Sequence, residues 1–265
     1  MNTRAIYVLA SLLALWVIVP IFLIATLAFS DRSSVFAWPK GIFPQHFSLQ
    51  TIGFFFGVEG VGRAIRNSLV VASLTLLFSV LLGAPAGYAL ARYRFAGADV
   101  YRVLILMTRA FPLAILAIPL AVQFIHLGLY DTPLGVALVH TALALPFAVL
   151  VTSSLFLGIP KELEEVAWTL GCNRVQAFVK VVLPLALPGL AATAIFAFVI
   201  SWNEVFAATL LTLRERTLPA FLLGALNDSP LPFRFAGGFL LIVPALIFIF
   251  SVRRYLFTLW GIANR

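Results

Sequence analysis

Six long apolar stretches constrain the fold of this chain more than any other feature of its sequence. A helix needs roughly 20 apolar residues to cross about 30 Å of hydrocarbon, and each stretch approximately meets that length. Hydrophobic residues make up 62% of the chain and charged residues 11%, whereas soluble domains are about half apolar and a quarter charged. The sequence therefore predicts an all-α membrane protein with six transmembrane helices in a single domain, residues 1–265. The predicted spans are residues 5–29, 68–91, 103–124, 134–157, 187–211 and 235–256.

The distribution of positive charge predicts which side of the membrane each loop faces. The formal net charge is +8, and because cytoplasmic loops of membrane proteins are enriched in Lys and Arg, this excess requires no nucleic acid. With the N-terminus inside, ten Lys and Arg residues fall in inner segments and seven in outer ones, four of them in the long first loop. We therefore expect both termini to be cytoplasmic, together with the charged loop between the fourth and fifth spans.

That charged loop, predicted at residues 159–184, carries a short amphipathic helix. Residues 161–171 have helical spacing of apolar side chains and follow Pro160, a favourable residue at a helix start. Gly171 can adopt the left-handed conformation that ends such a helix. A passive helix at the membrane surface is the alternative to a docking element. The predicted apolar face consists of Leu163, Val166, Ala167 and Leu170.

A carboxylate follows two polar or aromatic residues in the outer third of the fifth predicted span. A charge costs roughly 3 kcal/mol or more at the bilayer centre, so Glu204 is expected to face a cavity or a partner. Asn203 can both donate and accept hydrogen bonds, and Trp202 offers a flat apolar face of the kind on which sugars stack. Trp202, Asn203 and Glu204 are therefore candidates for a pathway or gate. An interfacial or structurally paired Glu204 is the alternative.

Other residues within the spans suggest packing more strongly than chemistry. Arg109 is a further pathway candidate, but snorkelling to the headgroups or structural pairing is the favoured interpretation. His140 is expected to make a hydrogen bond between helices. The recurrence of small residues every four positions predicts a close helix approach on one face of the second span. Those residues are Gly83, Gly87 and Ala91.

The charged loop resembles the cytoplasmic loop of permease subunits from binding-protein-dependent ABC importers. The shared spacing is Glu-x-Ala-x3-Gly-x9-(Ile/Val)-x-Leu-Pro, with Val166 in place of the usual middle alanine and Leu170 where sugar permeases often have Asp. Residues 86–97 and 201–212 further resemble the carbohydrate branch, in particular the second permease subunit of maltose-type importers. The matching loop positions are Glu165, Ala167, Gly171, Val181, Leu183 and Pro184.

The resemblance implies a type I ABC importer fold and a permease subunit for di- or oligosaccharides in a prokaryotic plasma or inner membrane. It also implies a homologous second permease forming a heterodimer with this chain, two ATPase subunits carrying ATP and Mg, and an extracytoplasmic sugar-binding protein. The residues implied to couple to the ATPase are Glu162, Glu165, Ala167, Gly171, Leu183 and Pro184.

Missing motifs limit the chemistry of the chain itself. No P-loop sequence occurs, so ATP hydrolysis is expected on other subunits, and no catalytic residue or cofactor is predicted here. The single cysteine, Cys172, excludes a cysteine-based zinc cluster, and no metal site is predicted. The alternatives are an ABC permease for another small polar solute and a self-sufficient secondary transporter. A secondary transporter should show internal repeats and midplane coupling carboxylates, which only Glu204 approaches.

Overall fold

A computed structural model describes residues 3–39, 43 and 46–259, and nearly all of these residues are helical. Two of the helical segments are irregular: a 3₁₀ turn (Thr108–Ala110) and a π-helical segment (Phe178–Val182). The α-helices are, in chain order, α1 (Thr3–Ala28), α2 (Arg32–Phe36), α3 (Gln50–Gly57), α4 (Val61–Arg92), α5 (Ala98–Met107), α6 (Leu113–His126), α7 (Pro133–Leu157), α8 (Glu162–Thr169), α9 (Arg174–Ala177), α10 (Leu183–Asn203), α11 (Phe206–Leu211), α12 (Leu218–Ala225) and α13 (Leu231–Leu259).

Within the described residues, five helical segments are long and apolar enough to cross a membrane, and one bent pair of helices can supply a sixth span. The prediction of an all-α membrane fold is therefore confirmed. The five segments are Arg4–Ala28, Val61–Arg92, Pro133–Leu157, Arg174–Asn203 and Leu231–Ser251.

The third predicted span, residues 103–124, consists of two helices that meet at a sharp bend. The segments Ala98–Ala110 and Leu113–His126 are bent by 86° relative to each other. Phe111, between them, has an extended backbone with ψ 118°. Because Phe111 precedes Pro112, the proline ring disfavours the helical conformation there.

The fifth span is shifted toward the N-terminus, which corrects the predicted range of 187–211. One helical segment of 30 residues runs from Arg174 to Asn203 and includes the π-helical segment. Pro184 lacks the N–H of a regular helix, and just before it the Leu183 N–H bonds to Phe178 O in the wider π spacing. Part of the predicted coupling loop thus belongs to the same helical segment as the fifth span.

The described chain forms two compact units, of which the larger comprises Arg66–Thr217 and Ala245–Arg265. In this unit, α4 and α7 approach closely at the predicted small residues. A β-carbon at Gly87 would lie 2.1 Å from Thr152 Oγ1, and one at Gly83 would lie 2.8 Å from the β-carbon of Ala148. The Thr152 hydroxyl donates to Gly83 O at 2.9 Å. The predicted close packing of these helices is confirmed.

The smaller unit comprises Met1–Ile65 and Leu218–Pro244. Aromatic contacts join its segments: the Phe29 and Phe239 rings lie 5.0 Å apart edge to face, and those of Phe55 and Phe233 lie 4.9 Å apart. Such pairs stabilise a fold beyond the apolar area that they bury. The single domain expected over residues 1–265 stays a prediction.

Candidate functional site

Helix α8 ends in a hydrogen-bonded motif that depends on a glycine. Gly171 has φ +88°, so the predicted left-handed conformation is confirmed. The Gly171 N–H donates to Trp168 O at 3.0 Å, and the Cys172 N–H donates to Ala167 O at 3.0 Å. These two bonds form a Schellman motif, which satisfies carbonyl groups that would otherwise lack partners at the helix end. The motif gives α8 a defined length and fixes the direction of the chain that follows.

A buried ion pair fastens α8 to the C-terminal end of α4. Glu164 accepts hydrogen bonds from Arg92 Nε at 2.5 Å and from the Tyr88 hydroxyl. The exposed side-chain fractions of Arg92 and Glu164 are 7% and 4%. Arg92 Nη2 also donates to Ile159 O at 2.9 Å. These bonds hold α8 and the chain just before it against the end of a membrane span.

Sequence reasoning did not identify this ion pair. A signal was present on each helix: Tyr88 and Arg92 lie four residues apart on α4, and Glu164 and Ala167 lie three apart on α8. Each spacing places both residues on one helix face. The sequence did not show that these two faces meet, because Arg92 and Glu164 are 72 positions apart along the chain.

Three of the four residues predicted to form the apolar face of α8 are exposed on this chain, so what that face contacts stays a prediction. Ala167 is buried, but Leu163, Val166 and Leu170 are exposed, the last two by 56% and 80%. The inward position beside Ala167 belongs to Glu164, whose ion pair with Arg92 compensates the burial of its charge. Glu162 and Glu165 are exposed as well. Helix α8 therefore presents a mixed apolar and acidic surface away from the rest of its unit.

The remaining predicted coupling residues lie at the start of α10. Leu183 packs against a buried cluster that includes Phe156 and Val182. Pro184 is exposed in the first turn of α10, directly after the π-helical segment. Both residues therefore occupy the junction that joins the α8 region to the long fifth span.

A cavity of about 270 Å³ lies beside α8. The Arg174 guanidinium is 5.7 Å from the centre of the Trp168 ring and 6.0 Å from that of Tyr93, within cation–π range. The cavity thus combines aromatic and charged surface next to the exposed face of α8. Its lining residues are Tyr88, Arg92, Tyr93, Lys161, Glu164, Glu165, Trp168 and Arg174.

The three pathway candidates near residue 203 lie in different environments. Trp202 is 1% exposed, and its ring is stacked on Phe198 with the centroids 5.9 Å apart. That ring has no open face for a sugar in this chain. Asn203 is exposed and donates from its side chain to Val199 O at 2.9 Å. A pathway role for either residue stays a prediction.

Glu204 lies in the break between α10 and α11, not within a span, which corrects its predicted placement. Its Oε1 accepts from the N–H groups of Phe206 and Ala207, and its Oε2 accepts from those of Ala207 and Ala208, at 2.9–3.3 Å. Its Oε2 also lies 3.0 Å from Nε2 of His140. The backbone can break here because the carboxylate satisfies donors that begin α11.

His140 makes the contacts between helices that the sequence predicted. The residue is fully buried in α7. Its Nδ1 lies 2.8 Å from Ser201 Oγ of α10, and its Nε2 contacts Glu204. His140 thus joins α7 to the end of the fifth span and to the following break.

Arg109 is exposed in the 3₁₀ turn at the bend of the third span. It makes no ion pair with any residue that the structure describes. A charge of this kind in a membrane span needs water, a headgroup or a partner. The bend provides an irregular backbone position of the kind found where membrane proteins line cavities.

Asp131 links the loop after α6 to the loop after α11. Its Oδ1 accepts from the backbone N–H groups of Leu213, Arg214 and Glu215 at 2.8–3.0 Å. Partial burial opposes ionisation, but these donors and the nearby Arg214 charge outweigh it and hold the pKa of Asp131 below its usual value. The carboxylate therefore fastens two loops at the α11 end of the unit.

Helices broken within the membrane and buried polar residues are features of membrane transport proteins. The profile of a family described as "Binding-protein-dependent transport system inner membrane component" matches residues 79–258. The chain belongs to this family of ABC importer permeases. This result confirms the resemblance that the charged loop suggested.

Two named relatives are similar to this chain over most of its length. An ABC transporter permease protein (ORF1) of Streptomyces antibioticus is 36% identical over 215 residues, which cover 80% of this chain and 94% of the relative. The trehalose transport system permease protein SugB of Mycobacterium tuberculosis is 30% identical over 259 residues, covering 95% of this chain and 94% of SugB.

A solved structure has the same fold. It is described as a bacterial ABC transporter involved in the import of the acidic polysaccharide alginate, and the matched chain aligns with a TM-score of 0.79. The alignment covers 97% of this chain and 98% of the other, at 22% identity. The predicted type I ABC importer permease fold is thereby confirmed.

Proposed function

We propose that this chain is one permease subunit of an ATP-driven importer of di- or oligosaccharides. The observation that carries this proposal is its membership of the binding-protein-dependent family, together with near full-length similarity to a permease named for trehalose transport. The chain forms half of the translocation path, and a homologous second permease supplies the other half. ATP and Mg are bound by two separate ATPase subunits, and an extracytoplasmic binding protein delivers the sugar.

Helix α8 is the element that docks on an ATPase subunit. Its exposed apolar side chains, Val166 and Leu170 above all, suit burial in a protein interface. Glu162 and Glu165 add acidic groups that can pair with cations on the partner. A mixed surface of this kind is costly to leave in water and unsuited to the bilayer core, so a soluble partner fits it best.

Movement of the ATPase passes from α8 into the membrane along two connections. The first is the Glu164–Arg92 ion pair, which ties α8 to the end of α4. The second is the helical segment Arg174–Asn203, which begins three residues after Gly171 and runs on as the fifth span. Two attachments to different spans let a displacement of α8 move both as rigid bodies, which is a common basis of alternating access.

In this proposal α8 is cytoplasmic, because it contacts the ATPase, and a total of six spans then makes both chain termini cytoplasmic as well. At a rise of 1.5 Å per residue, the 21 residues of α10 extend about 30 Å. Glu204 and the α10–α11 break then lie near the outer surface. Asn203 and Arg109 are the pathway candidates with exposed side chains, whereas Trp202 is covered by protein.

Reconstitution of the complete importer tests this function. The chain, its companion permease, both ATPases and the binding protein are placed in vesicles, and uptake is measured across a panel of sugars. We expect uptake that requires ATP on the ATPase side and a sugar-loaded binding protein. Uptake driven by an ion gradient without ATP would support a secondary transporter. ATP-dependent uptake of a different polar solute would exclude the sugar assignment.

A further inference from the structure

A chain of buried polar side chains connects four elements at the α11 end of the larger unit. Thr75 of α4 lies 3.1 Å from Ser201 of α10 between hydroxyl oxygens. Ser201 lies 2.8 Å from Nδ1 of His140 in α7, and Nε2 of His140 lies 3.0 Å from the Glu204 carboxylate. Thr75, His140 and Ser201 are all buried. Such a network in an apolar interior is stabilising only when each member has a partner.

The hydrogen-bonding capacities of these groups fix a proton on Nε2 of His140. The Glu204 carboxylate can only accept when ionised, and three backbone N–H groups that already point at it favour the ionised form. The imidazole must therefore donate through Nε2. This donor is present in the neutral tautomer protonated at Nε2 and in the doubly protonated ring.

The other end of the chain can adapt to either protonation state. With a neutral ring, Thr75 donates to Ser201 and Ser201 donates to Nδ1. With a charged ring, Nδ1 donates to Ser201, Ser201 to Thr75, and Thr75 to Ala137 O at 3.4 Å. That carbonyl already accepts from Thr141 at 2.7 Å, so it does not depend on Thr75. Both arrangements satisfy every side chain in the network.

The contact with Glu204 determines where α11 begins. Helix α11 buries Ala207, Ala208 and Leu211 completely, and it packs on both α7 and α6. The Leu211 carbonyl also accepts from the Asp131 N–H at 2.8 Å. Helix α6 is the second arm of the bent third span. A change at the α10–α11 break would therefore displace the part of the unit that contains the broken span.

We propose that His140 is a positioning residue that holds the α10–α11 break in one conformation through its Nε2–H bond to Glu204. Glu204 accordingly contributes to transport by fixing this break and not by binding sugar. Among the charged groups with described contacts, Glu204 is the one against the imidazole, while α4 and α10 present the hydroxyls of Thr75 and Ser201. Because Nε2 carries a proton in both states of the ring, its bond to the ionised Glu204 carboxylate does not depend on whether Nδ1 is protonated.

The test uses the reconstituted importer and rests on the proposed transport function. Wild-type uptake is measured first, and its absence would refute the proposed function separately from this inference. His140→Leu cannot donate a hydrogen bond to Glu204. It is expected to lower the maximal uptake rate about tenfold, which is within the range of interaction energies between residues in contact. His140→Gln keeps an amide donor and is expected to stay within about threefold of wild type. Equal loss in both variants at full assembly would overturn the proposal.

Two further measurements separate positioning from binding. Glu204→Ala should lower the maximal rate at least as much as His140→Leu, because it also removes the acceptor of three backbone N–H groups. The double variant should be no worse than Glu204→Ala alone. The sugar concentration that gives half-maximal uptake should change less than about twofold in every variant. Multiplied losses in the double variant, or a tenfold increase in that concentration, would overturn the proposal.

A substitution at the far end of the network serves as the control, and the pH profile tests whether the ring must change protonation state. Thr75→Val removes a hydroxyl at the far end of the network and should keep most activity, because Ser201 can still donate to Nδ1. The pH dependence of uptake should have the same shape in wild type and His140→Gln. An inflection between about pH 5 and 8 that disappears in His140→Gln would show that the ring must titrate, contrary to the proposal.

Discussion

Replacing Glu164 with alanine tests the anchor of α8. The substitution leaves Arg92 as a charge with a 7% exposed side chain and removes the acceptor of the Tyr88 hydroxyl. Breaking a buried ion pair on one side costs about 3–5 kcal/mol. Because Arg92 keeps its bond to Ile159 O at 2.9 Å, we expect about 3 kcal/mol, at the lower end of that range.

The neighbouring residue provides a matched control. Glu165 has the same chemistry one position along the helix, but it is exposed, so Glu165→Ala should change stability by less than about 0.5 kcal/mol. The assay is thermal unfolding of the purified permease complex, followed by binding of the ATPase subunits. Glu164→Ala should lower the unfolding temperature, and Glu165→Ala should weaken ATPase binding while leaving that temperature unchanged.

A double substitution distinguishes loss of the ion pair from the cost of leaving Arg92 as an unpaired buried charge. Replacing Arg92 and Glu164 together by leucine removes both charges, and apolar replacement of a whole buried pair is often neutral or stabilising. The double variant should therefore recover most of the stability lost in Glu164→Ala. Equal unfolding temperatures for Glu164→Ala and Glu165→Ala would refute the anchoring role.

Four other outcomes are expected. Gly171→Ala should destabilise the end of α8 by about 1–2 kcal/mol, because a residue with a β-carbon is strained at φ +88° even where the surrounding space is open. The measurement is amide hydrogen exchange, which should become faster at the end of α8. Gly87→Ala should cost about 1–3 kcal/mol by overpacking. Gly62→Ala, whose new β-carbon would meet no other part of the chain within 4 Å beyond its own helix backbone and chain neighbours, should not lower the unfolding temperature. Because the pKa of Asp131 is lowered in the folded state, its stabilising contribution is present above the unfolded pKa of about 3.9 and disappears as pH falls through the folded value. Asp131→Asn should remove this pH dependence from hydrogen exchange at residues 213–215. A membrane-impermeant thiol reagent should label Cys172 in inside-out vesicles, and labelling from outside intact cells would contradict the topology.

The features that sequence predicted are those that depend on local composition. An apolar run of about 20 residues suits a bilayer whatever its neighbours are, and three of the six predicted spans, the first, fourth and sixth, end within four residues of α1, α7 and α13. Gly171 marks a helix end through its own backbone freedom. Gly83 and Gly87 predicted close packing because their spacing puts both on one face of α4.

The features that sequence did not predict depend on which elements meet. Pro119 and Pro146 stay inside helices, whereas the chain breaks before Pro112, and the sequence around each proline does not separate these outcomes. The burial of Glu164 follows from Arg92, which lies 72 positions earlier. From the sequence, Glu204 was interpreted as a costly charge within the membrane. The structure shows that three backbone N–H groups donate to its carboxylate.

The coupling role of α8 is tested most directly by a cross-link to the ATPase. Val166, 56% exposed on α8, is replaced by cysteine in a Cys172→Ser chain, and the ATPase subunit carries a cysteine at its expected contact surface. We predict a cross-link that changes in yield with ATP, stops sugar uptake, and releases uptake again on reduction. Absence of any cross-link to the ATPase, with full uptake after Val166→Cys has reacted with a bulky maleimide, would contradict the coupling role.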